Sequence, residues 1–193
     1  MPLAYPVAAV LAASVAMVAI RAPHGHRSFK VKVTTSLKGR TEKILLTIAW
    51  AGFFVPILWM ITPLFKFADY PLHPAPFWTG VACLVAGLWM FHRTHRDLGT
   101  NWSITLELRE NHRLITTGSY RLVRHPMYLS LFVYGIGQAL ALPNWVAGPS
   151  YLAALGLLFA FRVLPEERMM REQFPAEYDA YASRTKRLVP GVW

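Results

Sequence analysis

Two groups of side chains in this 193-residue sequence have the types and spacing to do chemistry. Arg162 and Glu166 stand four residues apart, so on a helix they share one face. By default such a pair is a weak surface ion pair. Arg162, however, ends the apolar run 145–161, where an ionisable side chain is costly enough to point to function. The second group is the run Gly118-Ser119-Tyr120-Arg121-Leu122-Val123-Arg124-His125-Pro126-Met127-Tyr128. His125 precedes a proline, which pushes its backbone toward an extended conformation, and Pro126 suits the first position of a helix. The unpaired N–H groups of that first turn would suit an anion such as a carboxylate, with the rings and hydroxyls of Tyr120 and Tyr128 beside it. The alternative is an interfacial belt in which Arg and Tyr reach for lipid head groups.

Other constellations carry less. His92-x-x-His95 and His24-x-His26 each bring two imidazoles together, but neither has a neighbouring Cys or carboxylate cluster at ligand spacing. Two ligands do not make a zinc site, so no metal is expected. G-x-G-x-x-G, P-loop and G-x-S-x-G motifs are absent, which removes the usual support for Rossmann, NTPase and α/β-hydrolase readings.

Any such site must be positioned by apolar helices. The chain is 54% hydrophobic and only 16% charged, with seven Trp, eight Tyr and eleven Phe, which argues against disorder and against an ordinary soluble domain. A single cysteine, Cys83, rules out an intramolecular disulfide scaffold. Five apolar stretches stand out: 1–20, 44–65, 77–91, 127–142 and 145–161. The run 44–65 has no polar stripe at helical spacing, as a soluble core helix would. The expected fold is therefore an all-α integral membrane protein of about five transmembrane helices. The chain reads as a single membrane-embedded domain, with three spans in 1–91 and a catalytic region in 92–193.

The formal net charge of +10 could suggest nucleic acid, but this apolar content assigns it to the anionic face of a membrane. Nineteen of the twenty Lys and Arg residues fall in segments 21–43, 92–125 and 162–193, leaving Lys66 alone between the second and third spans. The positive-inside rule then places the N-terminus outside, the C-terminus inside and the site at the cytoplasmic face. Within the loop 92–125, the alternation Ser103–Leu108 followed by Glu110-Asn111 predicts a small hairpin returning into Arg113–Thr116. Pro143-Asn144 predicts a tight turn in a helical hairpin, Pro165-Glu166-Glu167 a helix start, and Pro175 a break in the tail. Met170, Phe174, Tyr178 and Tyr181 recur at helical spacing as an apolar face.

Four blocks, L-G-T-N-W-S (98–103), H-R-L-I-T-T-G-S-Y-R-L-V-R-H-P-M-Y (112–128), R-V-L-P-E-E (162–167) and F-P-A-E-Y-D-A-Y (174–181), resemble the isoprenylcysteine carboxyl methyltransferase family. The likeness covers roughly residues 90–190, and Y-R-x-x-R-H-P-x-Y is its most specific part. It implies an integral membrane enzyme that transfers a methyl group from S-adenosyl-L-methionine to a lipophilic or lipidated acceptor. It further implies a cofactor pocket of His112, Arg113, Leu114, Ile115, Tyr120, His125, Pro126, Met127, Tyr128 and Glu166. Glu166 would hold the cofactor's ammonium group, and Arg162 would face the substrate carboxylate. A carboxylate is ionised at neutral pH and needs no general base, in keeping with the lack of a nucleophile–base pair in the sequence.

Three rival readings remain at this point. Membrane phospholipid N-methyltransferases have a similar C-terminal architecture but methylate an amine. Sterol reductases resemble the R-H-P-x-Y region but bind NADPH and are much longer. A non-catalytic protein would bind anionic lipid through the basic loops.

Overall fold

The structure is a computed structural model and describes residues 2–29, 32–36, 39–105, 107–109 and 113–193. Among the described residues, six α-helices carry the fold: α1 (Ala4–Phe29), α2 (Arg40–Ile61), α3 (Pro74–Leu98), α4 (Pro126–Ala141), α5 (Ser150–Gln173) and α6 (Pro175–Arg184). Prolines open α3, α4 and α6, where a missing N–H costs nothing because the first turn has no partner for it. α4 thus begins at Pro126, and Pro175 divides the tail, both as the sequence predicts.

Close approach of backbones holds the bundle together. α3 packs most extensively on α4, and α2 on α5. A Cβ added at Gly80 would lie 2.6 Å from the Ala141 nitrogen, and one at Gly87 2.7 Å from the Tyr134 nitrogen. The α3–α4 contact therefore needs its small residues, as helices packed in lipid generally do. Ser150 adds a hydrogen bond from its hydroxyl to the Gly52 carbonyl at 2.9 Å, tying α5 to α2.

The outward faces are apolar. Val15, Ile61, Trp78, Val85, Trp89 and Trp145 are all exposed, an arrangement suited to lipid and costly in water. Among the described residues, three helices are long and apolar enough to cross a membrane: Ala4–His26, Arg40–Ile61 and Pro74–Leu98. α4 has only 16 residues, and α5 leaves its apolar stretch at Arg162.

Opposite ends of the bundle are fastened differently. At one end the α2–α3 and α4–α5 connections meet in an antiparallel bridge between Asp69 and Asn144. Fully buried Asn144 donates to the Phe65 carbonyl and the Asp69 carboxylate, both at 2.7 Å. Its Oδ1 accepts from the backbone N–H groups of Val146 (2.9 Å) and Ala147 (2.7 Å). The predicted tight turn is accordingly the first part of a longer connection, 142–149. At the other end lie the basic segments and the tail.

Two expectations need correction at that end. β2 (Glu107–Arg109) pairs not with 113–116 but antiparallel with β1 (Val33–Ser36), matching Ser36 to Glu107 and Val33 to Arg109 across an irregularity. The β-branched run Val33-Thr34-Thr35 supplies a better strand partner than the segment just after the expected turn, whose residues 110–112 lie outside the described residues. Pro165 does not start a helix either: it lies inside α5. A bundle can absorb one lost backbone bond, and the continuous helix keeps Arg162, Glu166 and Glu167 in fixed angular relation.

Candidate functional site

A cavity of about 180 Å³ opens where the end of α3, the segment 98–121, the start of α4, α5 and α6 converge. The turn beneath it is set by Gly118, whose φ of 61° is a left-handed conformation. A side chain there would also meet the Asp97 carboxylate, which accepts from the Ser119 N–H at 2.8 Å and the Ser119 hydroxyl at 2.6 Å. This fixes Tyr120 at the cavity wall, and the Tyr181 hydroxyl donates to the Tyr120 carbonyl at 2.6 Å. Burial, with the Glu166 charge second, pushes the Tyr120 phenol well above its ordinary value, so it stays a neutral donor.

The tail clamps the next segment from outside. Val123 bridges Lys186, and the Arg124 and His125 N–H groups donate to the Lys186 and Arg187 carbonyls at 2.8 and 3.0 Å. Glu167 is the centre of this clasp. It accepts from Arg124 Nε at 3.0 Å and, two-pronged, from Arg187 Nε and Nη2 at 3.0 and 2.8 Å. Arg124 also donates to the Ala182 and Thr185 carbonyls. Burial alone would raise the Glu167 carboxyl, but hydrogen bonds from His125, Arg187 and Arg124 outweigh it and hold it far below the usual carboxylate range. An ionised carboxylate only accepts, so His125 Nε2, 3.2 Å away, carries the proton and donates. That fixes the imidazole, whose Nδ1 lies 3.9 Å from Glu166.

Inside the cavity the contacts are looser. The Tyr128 hydroxyl donates to Glu166 at 3.1 Å. Arg162 lies 3.8 Å from Glu166 and, through Nη1, 3.7 Å from Glu42 on α2. Both distances exceed a hydrogen bond, and the buried Arg162 Nε has no hydrogen-bond partner among the described residues. Arg162 thus lines the cavity with a guanidinium whose hydrogen-bonding capacity is not used up.

Of the residues singled out in the sequence, Arg113, Leu114, Ile115, Tyr120, His125, Met127, Tyr128, Arg162 and Glu166 line this cavity. Pro126 does not line it; buried at the first turn of α4, it aims His125 and Tyr128. His112 lies outside the described residues. Sequence reasoning missed Arg21 of α1, Glu42 of α2, Trp102 and Glu167. Arg21 and Glu42 lie toward the polar ends of α1 and α2, where a charge is ordinary and gives no signal of its own.

Residues 79–172 match the isoprenylcysteine carboxyl methyltransferase (ICMT) family. Over 89 residues, 46% of this chain and 45% of the relative, it is 30% identical to protein-S-isoprenylcysteine O-methyltransferase B of Arabidopsis thaliana. The segment 79–172, just under half of the chain, is what resembles the ICMT family. The fold of the chain is also that of the eukaryotic intramembrane Ras methyltransferase ICMT, with a TM-score of 0.54 and 24% identity over 81% of this chain and 55% of the other. A further relative, 29% identical over 58% of this chain and 52% of its own length, is the nickel-cobalt-cadmium resistance protein NccN of Alcaligenes xylosoxydans xylosoxydans. The chain spans about half the length of the curated relatives it matches. The ICMT segment contains Tyr120, His125, Tyr128, Arg162 and Glu166, whereas Arg21, Glu42 and all of α6 lie outside it.

Proposed function

We propose that this protein is an S-adenosylmethionine-dependent methyltransferase that methylates the carboxylate of a lipophilic, isoprenylcysteine-like acceptor at the membrane. The observation that carries the reading is the convergence of Tyr120, His125, Tyr128, Arg162 and Glu166 on one cavity at the polar end of an apolar bundle. The residues fit the cofactor: Glu166 keeps a carboxylate at the cavity for an ammonium group, and Tyr120 and Tyr128 offer aromatic walls. When bound, S-adenosylmethionine would supply an electrophilic methyl on a cationic sulfur, open to in-line displacement by an oxygen without movement of a proton. His125, held by Glu167, fixes the first turn of α4, from which Tyr128 donates to Glu166. Arg162 aligns the acceptor carboxylate through its unused donor and offsets part of its desolvation.

In this reading α4 and α5 complete a five-span domain, with residues 1–91 supplying the first three spans and 92–193 most of the site, to which Arg21 and Leu46 add. At ~1.5 Å per residue the 16 residues of α4 fall short of a ~30 Å core, so the bilayer thins there. The basic segments collected at one end support a cytoplasmic site. Cysteines placed at Lys32 and Lys66 should label from opposite sides of sealed vesicles, and labelling from the same side would refute this topology.

A second reading has one specific observation behind it. Glu42 and Glu166 bracket Arg162, leaving that trio with one excess negative charge, which favours a cationic amine as acceptor. Arg162→Lys separates the two. Lys keeps the charge but loses the planar fork, so the variant should bind S-adenosylhomocysteine as the wild type does and methylate a prenylcysteine-type acid at least ~10-fold more slowly. Full activity on the acid would make Arg162 structural, and methylation of phosphatidylethanolamine in its place would establish the amine reading.

A further inference from the structure

Arg21 stands near the end of Ala4–His26, a stretch long and apolar enough to cross a membrane, where a charged side chain ordinarily snorkels to the surface. Arg21 does not. Its guanidinium is held between the rings of Trp50 and Trp102, 5.6 and 5.4 Å from their centroids, and its buried Nε has no hydrogen-bond partner among the described residues. Two aromatic faces stabilise the cation but leave Nε without a hydrogen bond among the described residues.

Arg21 lines two spaces at once. One is the cavity that holds Arg162 and Glu166. The other, about 50 Å³, is walled by Met17, Val18, Ala49, Phe53, Leu155 and further apolar residues, and among the described residues Arg21 is the only charged one on its wall. An amphiphile with its hydrocarbon in the apolar space and its reacting group beside Arg162 would carry its head group past Arg21. Arg162 already has two carboxylates near it, whereas the rings that hold Arg21 carry no charge, so Arg21 adds a positive charge to the pull that an incoming anion feels at Arg162.

We propose that Arg21 reads the anionic head of the lipophilic acceptor, so that α1 selects carboxylic acids over amines and neutral lipids. The inference rests on the methyltransferase reading of the cavity and assigns its acceptor class to a residue outside the ICMT segment, 79–172.

The test compares binding of N-acetyl-S-farnesylcysteine with binding of its carboxamide, which keeps shape and chain but lacks the charge. Purified full-length protein in liposomes with saturating S-adenosylhomocysteine should prefer the acid, and Arg21→Gln should reduce that preference at least ~10-fold, the scale of one charged hydrogen bond. Affinity for S-adenosylhomocysteine should not change. If the wild type prefers the acid and Arg21→Gln keeps the preference, Arg21 is excluded and the acid reading survives. If the wild type shows no preference for the acid, the carboxylate acceptor itself is wrong. Should thermal unfolding show that Arg21→Gln does not fold, Arg21→Lys serves instead: it preserves the charge and loses the fork, and is expected to weaken acid binding at least ~3-fold. Undiminished binding in Arg21→Lys would overturn the proposal.

Discussion

The two ends of the helical bundle solve opposite problems with similar residues. At the Asp69–Asn144 end, one asparagine uses both amide hydrogens and accepts twice at its oxygen, all within 2.9 Å. The Trp59 indole reaches the same Asp69 oxygen at 2.7 Å. At the cavity end, Arg162 stands 3.7 and 3.8 Å from two carboxylates and keeps an unused Nε. Closed polar contacts hold connections together, and open ones leave room for another molecule. Between these extremes lies the Glu167 clasp, closed like the first and placed beside the second.

Substitution at the two ends should therefore give different phenotypes. Asn144→Ala leaves the Val146 and Ala147 N–H groups and the Phe65 carbonyl without their side-chain partner in a buried place. At ~1–3 kcal/mol for each unsatisfied group, the loss should reach about 4 kcal/mol and be visible as a large drop in Tm. Any folded fraction should bind S-adenosylhomocysteine normally. A weakened Kd with an unchanged Tm would show that this end is not merely structural.

Glu167→Gln comes next in size. It keeps shape but leaves Arg124 and Arg187 without their anion, an expected cost of about 3 kcal/mol. Because the folded carboxyl is depressed below its unfolded value, its stabilisation is present above the ordinary carboxylate range and is lost as pH falls through that range and below. Wild-type Tm should thus decline below about pH 4.5, and the Gln variant should decline less. Parallel profiles would remove Glu167 from the account of acid stability.

Much of this was legible in the sequence, for reasons that can be stated. Prolines announced the starts of α4 and α6, because a missing N–H costs nothing in a first turn, and the four motif blocks do meet at one cavity. What could not be read was what depends on distant parts of the chain. The β1–β2 pairing joins segments some seventy residues apart, and its short strands carry no signal of their own beyond β-branching. Glu166 and Glu167 are chemically identical neighbours. Only a continuous α5, whose successive side chains diverge by ~100°, sends one toward the cavity and the other toward the clasp. The contribution of Arg21 and Glu42 was hidden because α1 and α2 read as generic spans, and generic spans give no hint of which face turns inward.

In the proposed function the open end of the bundle is a cofactor site with Glu166 as its anionic contact. The most direct test is calorimetric titration of S-adenosylhomocysteine into the purified wild type and into Glu166→Ala, with thermal unfolding confirming that both are folded. Loss of one charged hydrogen bond, worth ~1.5–3 kcal/mol, should weaken binding about tenfold to a hundredfold without lowering Tm appreciably. No binding by the wild type, or equal dissociation constants for the two proteins, would contradict the account.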